Sequence, residues 1–411
     1  MKKITIALFA VLTSGLATAQ SWTPLTTGTT TNLLGISFAD DNTGWSVGSA
    51  GKIIATTNGG MTWSSQTSGT TQALYDVAAI STSTAIAVGD ASTVRRTTNG
   101  GTTWSTVTSP ITGDFRVVWF LDAMTGFVGG GNGPSTGVLM KTTDGGATWT
   151  GLTPSTGDAV YGIYFTSATV GYITCSGGKG FVTTDGGFTW TAMTMGTTAF
   201  FLDDVHFTSP TTGFVSGDGG TLLKTTNAGL SWSTVTIPGS GTNRLLGLHF
   251  LNSAVGYVVG GLVGGTNSGI IFKTNDGGTT WTTDHTNTNR FYQCSFPSFG
   301  AGYACGINGT IVKVSNINAS VDEHAFDFDF GLYPNPSNSI FRVSLHLKEE
   351  GNASVKIYDM QGKEILDNNA GHLSAGEHEI EFTDLSIPAG VYLIEVTIGN
   401  TTLSKKLMRT E

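Results

Sequence analysis

One eight-residue phrase returns six times along this 411-residue chain and constrains its fold more than any other feature. It reads TTNGGMTW at 56–63, TTNGGTTW at 97–104, TTDGGATW at 142–149, TTDGGFTW at 183–190, TTNAGLSW at 225–232 and TNDGGTTW at 274–281. The closing tryptophans, Trp63, Trp104, Trp149, Trp190, Trp232 and Trp281, stand 41, 45, 41, 42 and 49 residues apart. A period of that length belongs to stacked or radial arrays of small antiparallel sheets. Within the phrase, Thr pairs and Thr-Trp flank Asn-Gly or Asp-Gly, so each copy reads as strand, tight type I′ turn, strand, with positive φ at both central residues. The side chains of Asn58, Asn99, Asp144, Asp185, Asn227 and Asp276 are expected to bond to nearby amides, and the Trp to cover the turn. Asp144, Asp185 and Asp276 could instead be catalytic or metal-binding acids. A site would not be copied six times, however, and a turn tying the outer two strands together is the expected role.

Upstream of each phrase lies an apolar strand ending in Phe, a short turn, then Gly-aromatic-x-Val-Gly, as in LLGISFADDNTGWSVG at 33–48. This pattern occurs seven times, and the seventh, CSFPSFGAGYACG at 294–306, runs into GTIVKVSN and stops without a Trp. The missing strand is at the other end: SWTPLTTGTT at 21–30 matches WSSQTSGTT at 63–71 and leaves Trp22 as an orphan outer strand. Seven inner halves and seven outer strands predict an all-β, seven-bladed propeller over 20–316, closed by the N-terminal strand in the last blade, which removes free sheet edges.

Sparse charge, 58 glycines and the absence of an amphipathic helical period agree with an all-β reading. A net charge of −9 without a Lys/Arg run argues against nucleic acid as a partner. Residues 1–19, MKKITIALFAVLTSGLATA, have the charged start, apolar middle and Ala-Thr-Ala end of a secretory signal peptide, so Sec export through the periplasm is expected, with no transmembrane segment in the mature chain. Of three cysteines, Cys294 and Cys305 fall on neighbouring strands, where either a disulfide or two buried thiols would fit, and Cys175 reads as a small core residue.

The stretch GWSVGSAGKIIATTNGGMTW at 44–63 resembles the repeat of the photosystem II assembly and stability factor family, seven-bladed propellers with Asp-box turns, and more distantly the BNR-type Asp-boxes of bacterial sialidases and sortilin. The resemblance runs from Trp22 to about Asn316 and implies the fold; Asp-box propellers serve as enzymes, receptors and scaffolds alike. Beyond it the composition changes, since Glu is absent from 21–320 and frequent afterwards. A linker over 317–330 therefore precedes a second module over 331–411, whose short alternating strands predict a small β-sandwich. That module resembles the C-terminal sorting domain of type IX secretion substrates in Bacteroidetes. The matching pieces are LYPNPSNSIFRV at 332–343 (Pro334, Asn335, Pro336), VKIYDMQGKEI at 355–365, IPAGVYLIEV at 387–396 (Gly390, Tyr392) and SKKLMR at 404–409 (Lys405, Lys406). The resemblance implies the type IX machinery as a partner and a secreted or outer-membrane surface location.

Binding loops on a rigid β scaffold collect where the inner strands begin. Aligning the repeats puts Asn32, Ala73, Asp114, Ala159, Phe201, Arg244 and Arg290 in one ring there, and Leu34, Tyr75, Arg116, Tyr161, Asp203, Leu246 and Tyr292 in a second. Repeats agree where they pack and diverge where they recognise, so Tyr75, Asp114, Arg116, Tyr161, Asp203, Arg244, Arg290 and Tyr292 are the candidates for contacting a protein or glycan ligand. These residue types could also build a sialidase-like glycoside hydrolase, with arginines for a carboxylate and a Tyr nucleophile, but the propeller segment has no Glu to activate the Tyr. Asp76 and Asp204, equivalent in blades two and five, could form a carboxylate pair, although their equivalence favours a structural origin. His206 and His249 at one repeat position fit strand packing better than a metal site. A column of bases, Arg96, Lys141, Lys224, Lys273 and Lys313, could attract an acidic partner or keep outer strands soluble. The glycine-rich inserts at 129–137 and 260–269 read as lengthened turns, and no catalytic residue, cofactor or metal is expected.

Overall fold

The computed structural model describes residues 21–132, 136–152, 157–262, 268–317, 328–333, 335, 337, 340–347, 350–359, 363–383, 387–398 and 401–410. Residues 1–20, where the sequence predicts a signal peptide, most of the expected linker, Pro334, Pro336 and parts of both glycine-rich inserts lie outside them. The chain divides into two compact units at 319/320, and among the described residues neither contains an α-helix.

In the first unit the repeats form seven four-stranded antiparallel sheets. Their innermost strands are Leu33–Phe38, Leu74–Ala79, Phe115–Phe120, Val160–Phe165, Leu202–Phe207, Arg244–Phe250 and Phe291–Ser298. Each inner strand neighbours the next, and the seventh returns to the first. Thr23–Pro24 pairs antiparallel with Ile311–Ser315, Thr23 opposite Lys313, so the N-terminal segment supplies the outer strand of the last blade.

Residue type follows depth in the blade. Second strands such as Gly44–Gly48 and Ala85–Gly89 are buried throughout and correspondingly apolar, whereas outermost strands such as Ser105–Thr106 are exposed and polar. The Gly opening the second strand makes room for the ring that ends the first: a Cβ on Gly44 would stand 2.5 Å from the Phe38 ring. Freed to lie flat, those rings stack on an aromatic of the preceding blade: Phe38 on Tyr303 at 3.7 Å, Phe165 on Phe127 at 4.0 Å and Phe207 on Tyr172 at 3.9 Å. The core is thus laid between blades, and each sheet depends on its neighbours.

The Asp-box turn differs from a two-residue hairpin. Positive φ falls on the two residues after the Asn or Asp, Gly59 (66°) and Gly60 (82°) in the first copy and Ala228 (57°) and Gly229 (81°) in the fifth. Asn58 keeps negative φ, and its Oδ1 accepts from Thr62 N at 3.0 Å while Thr56 Oγ1 accepts from Gly60 N at 2.9 Å. In the Asn copies the hydroxyl accepts, Asn58 Nδ2 donating to Thr62 Oγ1 at 2.9 Å, whereas in the Asp copies it donates, Thr148 Oγ1 to Asp144 Oδ2 at 2.6 Å. That hydroxyl first, then the amide of Thr148, hold the Asp144 carboxyl down at about 2. Such an acid is spent on its own turn.

The second unit is a sandwich of a three-stranded sheet (Phe328–Tyr333, Phe341–Leu347, Gly376–Phe382) and a four-stranded one (Glu364–Leu373, Gly351–Tyr358, Gly390–Ile398, Thr401–Arg409). Alternate residues, among them Phe341, Val343, Val355, Ile357, Tyr392, Ile394 and Leu407, fill its core. Asn335 acts as a strand surrogate for the last strand, donating Nδ2 to Lys406 O at 2.8 Å and accepting from Met408 N at 2.9 Å. Tyr392 Oη donates to Pro388 O at 2.8 Å. Lys406 is exposed, Lys405 donates Nζ to Phe330 O, and Gly390 pairs with Arg409.

Candidate functional site

All seven inner strands break register at the same place, between residues 33/35, 74/76, 115/117, 160/162, 202/204, 245/247 and 291/293. The residue passed over is Leu34, Tyr75, Arg116, Tyr161, Asp203, Leu246 or Tyr292. A bulge leaves its extra residue unpaired and re-aims its side chain, and here the turn is towards the axis. Those seven residues, with Arg244 and Arg290, line a cavity of about 290 Å³ floored by Asp76, Val117, Asp204 and Gln293. The second ring aligned from sequence lines it completely; of the first ring only Arg244 and Arg290 do. Asp114 lies behind Arg116, which it pairs at 3.2 Å.

The mouth is largely prewired. Arg244 clamps Asp203 through Nε (2.8 Å) and Nη2 (2.5 Å), reaches Asp218 at 3.2 Å and lies over the Phe201 ring at 4.2 Å. Burial nevertheless pushes the Asp203 carboxyl up to about 6, against the pull of Arg244. Arg116 lies over the Tyr75 ring at 4.1 Å, and the Tyr75 hydroxyl donates to Asp90 at 3.3 Å. Arg290 lies over Tyr292 at 4.8 Å and donates Nη2 to its hydroxyl at 2.7 Å. Tyr161 meets Phe201 edge to face at 5.3 Å, and burial first of all raises its hydroxyl's pKa.

Asp76 and Asp204 have structural work. Asp76 accepts from Val77 N at 2.8 Å and, in the next blade, Val118 N at 2.9 Å; Asp204 does the same with Val205 N at 2.8 Å and Leu248 N at 2.9 Å. Burial pushes both carboxyls up to about 7. Beneath this floor a second cavity of about 310 Å³ is lined by His206 and His249 among other residues. The two histidine rings stand 5.3 Å apart, and His206 lies 4.8 Å from Tyr164. Burial holds His206 well below and His249 at about 4, so both are neutral. Among the described residues no group of three His, Cys, Asp or Glu is placed to hold a metal. Cys175, Cys294 and Cys305 are free and buried.

The Asp-boxes occupy the opposite end: Thr56 pairs with Gly44, Gly44 with Phe38, and Phe38 ends the inner strand whose start forms the mouth. The column of bases belongs there too, with a role the sequence reading did not reach. Lys313 donates to Gly59 O (2.8 Å), Arg96 to Gly145 O (3.0 Å), Lys141 to Gly186 O (3.0 Å) and Lys224 to Gly277 O (2.8 Å), each in the following blade. Where the column lacks a base, Gln66 serves Gly100 O at 2.9 Å and the Tyr172 hydroxyl Ala228 O at 3.2 Å. All six Asp-box carbonyls are therefore capped from the preceding blade. Lys141, Lys224, Lys273 and Lys313 also lie over their cross-strand aromatics Phe127, Phe214, Tyr257 and Tyr303. Arg96, Lys141, Lys224 and Lys313 are thus inter-blade ties and more than simple solubilising charges. The signal for them was available in the alternation of Lys with an aromatic one strand away.

Fold and mouth together define a single seven-bladed Asp-box propeller with a polar, bulge-lined axial pocket. The profile described as photosynthesis system II assembly factor YCF48 matches residues 15–108 and 149–291, more than half the chain, and the protein belongs to that family. Residues 331–410 match the secretion system C-terminal sorting domain, which makes it a secreted or cell-surface protein that meets the secretion machinery. No curated protein matches the chain. Similar solved structures include YCF48 bound to D1 peptide (21% identity, 72% of this chain and 94% of that one, TM-score 0.60). Others are YCF48 from Cyanidioschyzon merolae (20%, 72% and 99%, 0.57) and the GH74 enzyme of Niastella koreensis (17%, 95% and 75%, 0.55). At these identities the likeness is one of fold.

Proposed function

We propose that the propeller is a binding or scaffolding module without catalysis, whose protein or glycan ligand enters the mouth framed by Tyr75, Arg116, Tyr161, Asp203, Leu246, Arg290 and Tyr292. The observation that carries this reading is the commitment of the acids: Asp203 is clamped by Arg244, Asp114 by Arg116, and Asp76 and Asp204 hold main-chain amides of the next blade. General acid and base catalysis needs carboxyls free to give and take protons at a substrate. A YCF48 structure with a D1 peptide supports a protein ligand ahead of a glycan.

A second reading, a surface glycoside hydrolase, draws on the GH74 neighbour and on two carboxyls near pH 7 beside one cavity. Incubating the full chain with fluorogenic glycosides and with peptide and glycan arrays separates the two. Binding without turnover, abolished by Leu246→Trp, which fills the cavity, is the expected result. Turnover that disappears in Asp204→Asn would replace the binding reading with the hydrolase.

A further inference from the structure

Three arginines face the mouth, and they are not equivalent. Arg116 is neutralised by Asp114 and Arg244 by Asp203 and Asp218. Every carboxylate at the rim already accepts from the protein, including Asp90 from Tyr75 and Asp218 from Phe201 N at 3.2 Å. Arg290 alone among them has no ion pair with any described residue; one nitrogen bonds the Tyr292 hydroxyl, and its buried Nε, like that of Arg116, has no partner. Its stem is fixed against Gly261 of the preceding blade, where an added Cβ would stand 2.9 Å from Cγ. A held guanidinium with unfilled donors beside a cavity offers a place for an acceptor.

The rest of the lining indicates what that acceptor is attached to. Leu246 and Leu34 flank Tyr292 in the neighbouring blades and give this half of the cavity an apolar wall, while across the ring the Tyr161 hydroxyl has no hydrogen-bond partner among the described residues. A sugar would find few donors and acceptors on the Arg290 side. Resting on the mouth being the binding site, we propose that Arg290 is the docking point for a single carboxylate on a ligand with an apolar body. That body lies against Leu34 and Leu246 and reaches the Tyr161 hydroxyl with one polar group.

The test is calorimetric titration of the full chain with N-acetyl-leucine, its neutral amide N-acetyl-leucinamide, and glucuronate. The acid is expected to bind at least about tenfold more tightly than the amide, the value of one charge-assisted bond pair. Arg290→Gln should erase that preference, Arg290→Lys should keep it with weaker affinity, and Lys52→Gln, a half-exposed residue outside the cavity lining that bonds Ser65, should change nothing. Equal binding of acid and amide, no binding of either, a preference that survives Arg290→Gln, or tighter binding of glucuronate would each overturn the proposal. A natural ligand lost on Leu246→Trp yet indifferent to Arg290→Gln would leave the mouth as the site and remove only the carboxylate.

Discussion

Ring closure rests on Trp22, and replacing it by Ala measures how much the seam contributes. Trp22 is only 5% exposed, sits edge-on to Tyr257 and Phe296 at 6.0 Å each, and donates Nε1 to Asp284 at 2.6 Å. Truncating a buried Trp costs about 3–5 kcal/mol. The lost bond adds about 1 kcal/mol, at the low end because Asp284 is half-exposed and regains water. A propeller of roughly 300 residues unfolds with an entropy near 0.6 kcal/mol/K, so a loss of about 4–6 kcal/mol lowers Tm by about 7–10 °C. Trp63→Ala is the control: it is the same outer-strand residue in an uninterrupted blade, half-exposed and with an unpartnered Nε1, and should cost about half as much. Scanning calorimetry reads both. A smaller shift for Trp22→Ala than for Trp63→Ala would mean that the N-terminal strand is an ornament on a ring closed by other contacts, and the reasoning fails.

Lys224→Met keeps the stem over Phe214 but loses the bond to Gly277 O, and should lower Tm by about 2 °C; an unchanged Tm would strip the inter-blade ties of energetic meaning. Stability should rise as pH falls from 8 to 6.5, because Asp76 and Asp204, at about 7, and Asp203, at about 6, bind protons more tightly folded than unfolded. Between 6.5 and 4 the gain should continue more slowly, since neutral His206 and His249 forgo protons that the unfolded chain takes up and offset two of the three carboxyls. Below 4 stability should fall as Asp144 and Asp185, held at about 2 chiefly by the Thr148 and Thr189 hydroxyls, are protonated; a Tm that declines steadily from pH 8 contradicts this ordering. Deleting residues 332–411 should leave the propeller in the periplasm on cell fractionation, and surface delivery of that truncation would remove the sorting role.

The architecture was legible because each repeat states its own strand order and the orphan Trp22 states where the ring closes. What escaped was information held in register and not in residue type. The Asn-Gly pair suggests a two-residue turn, yet the second glycine of Asn-Gly-Gly already signals two consecutive positive φ values after the Asn, and the longer loop follows from it. The basic column looked like surface charge because a single repeat, read alone, does not reveal that its lysine reaches a carbonyl in the next.

The mouth shows the same division. Alignment brought Leu34, Tyr75, Arg116, Tyr161, Asp203, Leu246 and Tyr292 into one column, but a regular strand would have alternated that column with its neighbours and sent its side chains between the blades. The bulge repeated in all seven inner strands puts them on the axis, and the floor beneath explains why it persists. One position on, Asp76, Asp204 and Gln293 bond to amides the irregular backbone exposes: Val77 and Val118, Val205 and Leu248, and Cys294. In the blades these three residues serve, the lining can vary because the backbone that presents it is held from below. On the proposed binding role, Arg290→Gln should change what the mouth accepts without disturbing the blade that carries it, whereas Asp204→Ala would leave two buried amides unmatched and spread its cost into the neighbouring blade.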